Sequence, residues 1–231
     1  MRFLGIIVGF LIASSAASWA QENAEDRLSE VIELAGQAKK VKILQQAWNL
    51  YKSGDYGDAL SIWMPLAEMG NPSAQVFIGL MYNKGLAVKQ NTIEAEKWYT
   101  LASNQGYVPA IWRLAMLYYH GSGLTQDYKK AADLYLLAAK QGDVYSQKAI
   151  GVMYSKGFGV PKDNILAYSW VYIAHANGFD LAKNNQINIS EKMIPQEITM
   201  AEAIAKACMK SGYEKCGWIP SAEDDLVKDD T

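Results

Sequence analysis

The sequence predicts an all-α fold: an α-solenoid of about four helix-loop-helix repeats with a capping helix at each end. Three observations carry this. The chain repeats itself at a step of 36 residues, in Gly79, Ala115 and Gly151, in Tyr82, Tyr118 and Tyr154, and in Gly85, Gly121 and Gly157. In the second half of the unit the same step holds four times, through Asp55, Asn91, Asp127 and Asp163, through Ala59, Ala95, Ala131 and Ala167, and through Gly70, Gly106, Gly142 and Gly178. Between these marks apolar residues recur at helical spacing, and glycines cut them into two runs per unit. Self-similarity at such a period is the sequence signature of stacked repeats.

Composition narrows the function classes. Of 231 residues, 50% are hydrophobic and 20% charged, which suits a folded soluble protein, and the repeat favours one continuous array. The formal net charge of -2 offers no basic excess for nucleic acid and no acidity typical of a solvating tail. Fourteen Tyr and seven Trp fall mostly at repeat positions, so they read first as core.

Met1-Arg2 sets a positive charge before an apolar run from Phe3 to Ala13, and Ser18-Trp19-Ala20 supplies the small residues of a cleavage site. Residues 1–20 read as a secretory signal peptide. The alternative is a membrane anchor, but the run is about half the roughly 20 residues that a spanning helix needs. No lipobox-like cysteine follows. The expected product is bacterial, periplasmic or secreted, with no transmembrane segment after cleavage. Residues 21–40 carry Leu28, Val31, Ile32 and Ala35 at helical spacing, and are expected to form a helix covering the first repeat.

In each later unit the first helix sets a small residue and a tyrosine on one face. From about Ser73 to Lys84 that face is Ala74, Ile78, Gly79, Met81 and Tyr82. Its counterparts are Ala110, Leu114, Ala115, Leu117 and Tyr118, then Ser146, Ile150, Gly151, Met153 and Tyr154. The small residue permits close helix approach, and the tyrosine fills the space beside it. Loops from Gly85, Gly121 and Gly157 follow. Asn91, Asp127 and Asp163 then stand as N-caps, with Asn91 and Glu94 at capping-box spacing. The second helices carry Ala95, Trp98, Leu101 and Ala102, then Ala131, Leu134 and Ala138, then Ala167, Trp170 and Ala174. Gly106, Gly142 and Gly178 are expected to end them in left-handed conformation. Pro109 sits near the next helix start, where its missing N–H costs nothing. The unit at 41–72 differs: Gly54 to Ala59 is five residues where Gly85 to Ala95 is ten, so its inter-helix loop is shorter.

These residues resemble a known family. Ile150-Gly151, Tyr154, Gly157, Gly159-Val160, Asp163, Ala167, Trp170, Ala174 and Gly178 are similar to the Sel-one-like repeat, a tetratricopeptide relative with a glycine-containing loop. Departures are Ala87 for the second loop glycine, Ala115 for glycine and Leu134 for tryptophan. The resemblance spans about Ala47 to Leu181 and implies a right-handed solenoid: a tetratricopeptide-like first repeat at 41–72 and three Sel-one-like repeats at 73–181. Beyond these, Ala182 to about Met193 reads as a degenerate helix. Pro195 starts an amphipathic helix with Ile198, Ala201, Ala205 and Cys208 on one face, and Trp218 is expected to pack back on it. Residues 182–220 thus form a C-terminal cap, and the acidic tail 221–231 is expected to be disordered.

Little in the sequence carries chemistry. Cys208 and Cys216 flank Ser211-Gly212, which can turn the chain back, and an exported setting favours a disulfide over two free thiols. Their spacing is not Cys-x-x-Cys. His120 and His175 occupy non-equivalent repeat positions, and no His-x-x-x-His or Glu-x-x-His pairs them with other ligands, so no metal and no cofactor is expected. His120 reads as a loop-edge or groove residue. Gly121-Ser122-Gly123 is not a nucleophile elbow, since position 120 is His, and no Ser-x-x-Lys, Ser-Asp-Asn or Lys-Thr-Gly occurs. Cysteine-rich relatives of the repeat family are associated with β-lactamase activity. The repeats here lack their cysteine pairs, so that activity is not carried over.

Function is therefore expected from a surface. In a solenoid of helix pairs the first helices line the inner side. By tetratricopeptide analogy that face presents Gln45, Asn49 and Lys52; Val76, Leu80 and Asn83; Trp112, Met116 and Tyr119; and Lys148, Val152 and Ser155. Trp112, Met116 and Tyr119 form one stripe, either open groove or helix-packing core. The expected role is an exported adaptor or scaffold that binds a protein or peptide and is not an enzyme. The alternatives are a cell-wall or β-lactam hydrolase, by the same resemblance, and a structural part of an envelope complex.

Overall fold

The structure, a computed structural model, describes residue 36 and residues 39–216. The segment expected to be a signal peptide, nearly all of the stretch expected to form an N-terminal capping helix, Trp218 and the acidic tail lie outside the described residues. Among the described residues there are ten helices and no strand, an all-α helical-repeat solenoid. They divide into two compact units, one up to Ile62 and one from Trp63.

In the first unit, helix α1 covers residues 39–53, and α2 (Tyr56–Glu68) begins there and runs on past Ile62. Gly54 and Asp55 alone separate the two helices. Asp55 N–H donates to Leu50 O at 2.9 Å, and Ser53 Oγ donates to Asp55 Oδ2 at 2.7 Å. Tyr51 stacks on Trp48 at 5.5 Å and meets Tyr56 edge-on at 5.3 Å, and Ala47 and Ala59 are fully buried. This is the short-looped hairpin that the spacing from Gly54 to Ala59 requires.

The second unit holds the long-looped pairs: α3 (Pro72–Lys84) with α4 (Thr92–Ser103), α5 (Val108–His120) with α6 (Tyr128–Lys140), and α7 (Val144–Lys156) with α8 (Asn164–Ala176). Each first helix stops at a left-handed glycine: Gly85, Gly121 or Gly157. Each second helix starts on a side-chain cap. Asn91 Oδ1 accepts from Ile93 N–H and Glu94 N–H, Asp127 Oδ1 from Lys130 N–H, and Asp163 Oδ1 from Leu166 N–H. These caps satisfy donors that a helix start leaves free. The Glu94 carboxylate does not complete a capping box; it pairs with Lys97 at 2.5 Å. The loops are also tied back through the main chain. The N–H groups of Asn91, Asp127 and Asp163 donate to the carbonyls of Tyr82, Tyr118 and Tyr154 at 2.9 to 3.0 Å.

Close approach explains the small residues. A Cβ on Gly79 would lie 2.6 Å from the Tyr99 ring, and one on Gly151 would lie 2.5 Å from Val171 Cγ2 and 2.9 Å from Ala167 O. Tighter still is Gly159, with φ +71°: its Cβ would lie 2.1 Å from Tyr128 O, the first residue of α6. A Cβ on Gly123 would likewise lie 2.5 Å from Oγ1 of Thr92, the first residue of α4. The second loop glycine of each of these repeats thus seats against the preceding repeat's second helix. Ala87 occupies the equivalent place in the first long loop, with φ 58° and an exposed side chain.

Two buried glutamines stitch neighbouring helix pairs. Gln75 Nε2 donates to Ala67 O at 3.1 Å and Gln105 Nε2 donates to Gln75 Oε1 at 2.9 Å. Gln147 repeats this with Ala139 O at 3.2 Å and Asn177 Nδ2 at 3.0 Å. Both side chains are almost fully buried, so these bonds offset an otherwise costly desolvation.

The expected packing faces of the second helices need correction. On α4 the buried residues are Ala95, Tyr99 and Ala102, while Trp98 is half-buried and Leu101 is 48% exposed. On α6 they are Ala131, Ala132, Tyr135, Ala138 and Ala139, with Leu134 half-buried. The α8 face holds as expected, with Ala167, Trp170 and Ala174 buried.

The C-terminal cap consists of α9 (Ala182–Ser190) and α10 (Pro195–Lys210). Ala201, Ile204, Ala205 and Cys208 face inward, and Ser169 Oγ on α8 donates to Ala201 O at 2.9 Å. Cys208 and Cys216 are joined in a disulfide, with Cα atoms 4.5 Å apart. Asn177 Nδ2 also donates to the Tyr213 hydroxyl at 2.8 Å, which links the cap to the last repeat.

Candidate binding surface

The twelve expected groove residues belong to four helices, three each to α1, α3, α5 and α7. Gln45 and Asn49 on α1 are exposed, bonded to each other at 3.1 Å, and line a depression with Val41, Lys42, Gln46, Leu50 and Ser53. Lys52 lies apart, its Nζ 5.7 Å from the Trp48 ring centre. Val76 and Leu80, expected on the surface, are instead buried, at 4% and 7% exposure. For Val76 the reason is a core shared by three helices: it clusters with Tyr99 of α4 and with Ala110, Leu114 and Leu117 of α5. Lys148, Val152 and Ser155 on α7 are half-buried.

The α5 stripe is the most developed group. Trp112, Met116 and Tyr119 are all half-buried and pack against the core cluster that contains Tyr135, Ile150, Met153 and Trp170. Trp112 meets Tyr145 at 5.9 Å, and the Arg113 guanidinium lies 5.5 Å from the Trp112 ring centre. Tyr119 is set edge-on to His120, Tyr128 and Tyr135. Burial, then the neighbouring Tyr128, raise its hydroxyl above the usual tyrosine value. The stripe is therefore neither sealed core nor free side chains: one edge is packed and the other is open.

Beside it is a cavity of about 120 Å³ lined by Asn83, Tyr99, Arg113, Met116, Leu117, His120 and Ser122. The last turn of α3, the middle of α4, the length of α5 and the turn after Gly121 each contribute. Asn83 and Met116, both expected in the groove, meet here. Arg113 and Ser122 were not expected. A signal was available, since their repeat counterparts are apolar: Phe77 and Ala149 for Arg113, Leu86 and Phe158 for Ser122. Arg113 is also one of three arginines in the chain. Nearby, the motif tyrosine Tyr118 donates its hydroxyl to Glu96, with Lys130 Nζ 4.8 Å from its ring centre. Burial first, and then that bond, push the hydroxyl up to about 12.

The Sel1 repeat family matches residues 72–107, 108–143 and 144–179, one match for each long-looped pair. The chain belongs to the Sel1-like repeat family. Among solved structures it is similar to a Sel1 repeat protein from Oxalobacter formigenes, at 30% identity and TM-score 0.58, covering 62% of this chain and 57% of that one. It is also similar to a protective antigen present in uropathogenic Escherichia coli strains displaying an SLR fold, at 22% identity and TM-score 0.45, covering 75% of this chain and 44% of that one. The chain thus spans just over half of the first protein's length and under half of the second's. No curated protein matches it. Sel1 repeats are generally protein–protein interaction modules and generally non-catalytic. No helix among the described residues of this Sel1 repeat protein is long and apolar enough to cross a membrane.

Proposed function

We propose that this Sel1 repeat protein is an exported adaptor or scaffold that holds a peptide or protein partner on the α5 face. The half-open stripe of Trp112, Met116 and Tyr119 beside a polar-rimmed cavity carries the reading. Large aromatic and methionine side chains with one edge already fixed by packing lose little freedom on contact, which is how interface anchors gain affinity. The Cys208–Cys216 bond supports an oxidising compartment. Mature protein is expected to start at or near Gln21, and alkylation without reductant is expected to label neither cysteine. An intact Met1 on soluble protein, or rapid labelling of native protein, counts against export.

The test of the surface is crosslinking in the periplasm, identification of the captured protein, and titration of that protein against variants. Trp112→Ala removes a half-buried ring, so the expected stability loss is about 1–2 kcal/mol, well short of the ~3–5 typical of a sealed aromatic. Affinity is expected to fall roughly thirtyfold, the equivalent of about 2 kcal/mol. Unchanged affinity with native stability would move the binding surface elsewhere.

A further inference from the structure

Four polar side chains line the cavity beside α5: Asn83 and Arg113 are half-buried, and His120 and Ser122 are exposed at its mouth. Among the described residues, the side chains of Asn83, Arg113, His120 and Ser122 make no hydrogen bond and no ion pair with another residue. Arg113 Nε is buried as well. One buried donor without a hydrogen bond is unfavourable, and the half-buried guanidinium that carries it is open to an acceptor from outside. Its contact with the Trp112 ring fixes it in place. The cavity, about 120 Å³, far exceeds the ~10–15 Å³ that one water needs.

The lining chooses the ligand. One guanidinium and one imidazole match a single negative charge, and no lysine is among the lining residues to favour a doubly charged phosphate. A guanidinium fork holds a carboxylate through two parallel bonds, and the single cation on the lining balances one negative charge. Met116 and Leu117 add an apolar wall, which suits a carboxylate attached to an apolar group. From Asn83 and Ser122 the surface continues into a furrow lined by Gln90, Asn91 and Thr92, long enough to take the chain that precedes the carboxylate.

We propose that this cavity is a carboxylate pocket that takes the C-terminal carboxylate of an extended peptide whose last side chain is apolar. Arg113 pairs with the carboxylate, Asn83, His120 and Ser122 orient it, and the last side chain rests on Met116 and Leu117. The proposal rests on the reading of α5 as the binding face, and it deepens that reading by naming what is bound.

The experiment presents the mature full-length protein with a pool of short random peptides bearing a free C-terminal carboxylate, and with the same pool amidated. Recovery from the free-acid pool is expected to exceed the amidated pool by about tenfold, with apolar last residues enriched. Arg113→Gln is expected to abolish that difference and Arg113→Lys to restore part of it. Equal recovery from both pools, or none from either, overturns the proposal. Recovery dominated by amidated peptides rich in Asp or Glu assigns the pocket to a side-chain carboxylate and overturns the terminal one. If Arg113→Gln folds poorly, the acid-against-amide comparison on the unaltered protein decides alone. Trp112→Ala separates the two readings. Capture lost in Trp112→Ala but kept in Arg113→Gln leaves the face standing and removes the pocket; capture kept in both removes the face itself.

Discussion

Gly159→Ala is expected to lower the unfolding free energy by about 2–5 kcal/mol, among the largest losses available to a single methyl group in this protein. Two costs add. The residue has φ +71°, a conformation that costs an L side chain roughly 1–2 kcal/mol. The new Cβ would also sit 2.1 Å from the Tyr128 carbonyl oxygen, a main-chain atom that moves only with the start of α6, and such overpacking typically costs about 1–3 kcal/mol. Gly178→Ala is the control, because it has φ +91° but nothing within 4 Å of the added atom. Urea melts of the pair isolate the contact. Equal losses would show that the repeat–repeat seat at Tyr128 is loose and that only backbone conformation matters.

Trp170→Ala is expected to cost about 3–5 kcal/mol, the range for removing a sealed aromatic. Trp170 is 2% exposed and lies in the cluster that joins Tyr135, Ile150, Met153, Ala205 and Cys208. Its loss therefore loosens the last two repeats and the disulfide-bonded cap together, and the Cys208–Cys216 bond is expected to reduce faster in the variant. Trp98 occupies the equivalent repeat position but is half-buried, so Trp98→Ala is expected to cost about 1–2 kcal/mol. Indistinguishable melts for the two variants would contradict the burial difference.

The periodic marks told most of the fold because each answers a local demand that neighbours cannot change. Gly85, Gly121 and Gly157 end helices, Asn91, Asp127 and Asp163 begin them, and Gly151 admits Val171. The candidate surface was less legible because it depends on what lies across from a residue. Val76 and Leu80 were counted to the inner side by analogy, yet both are buried, Val76 in a cluster with residues of α4 and α5. Trp98 stood out by size, while the smaller-looking choice, Tyr99, is the sealed one, at 1% exposure. Arg113 and Ser122 break the apolar pattern of their columns, but only the fold shows that the two breaks face one cavity. Asn83 on α3 was read as one position of a long groove, without a hint that Met116 and His120 would line one cavity with it.

The seat of each loop glycine on the preceding helix gives the array a polarity that limits how it can lengthen. A copy of residues 108–143 or 144–179 inserted in tandem brings its own Gly123 or Gly159 to the new junction, and the junction closes without a Cβ in the way. A copy of residues 72–107 brings Ala87 instead, whose methyl group would meet Thr92 of the original, as a Cβ on Gly123 would at 2.5 Å. Tandem duplication is thus open to the second and third Sel1 units and obstructed for the first, which fits the head of the row and no other place in it.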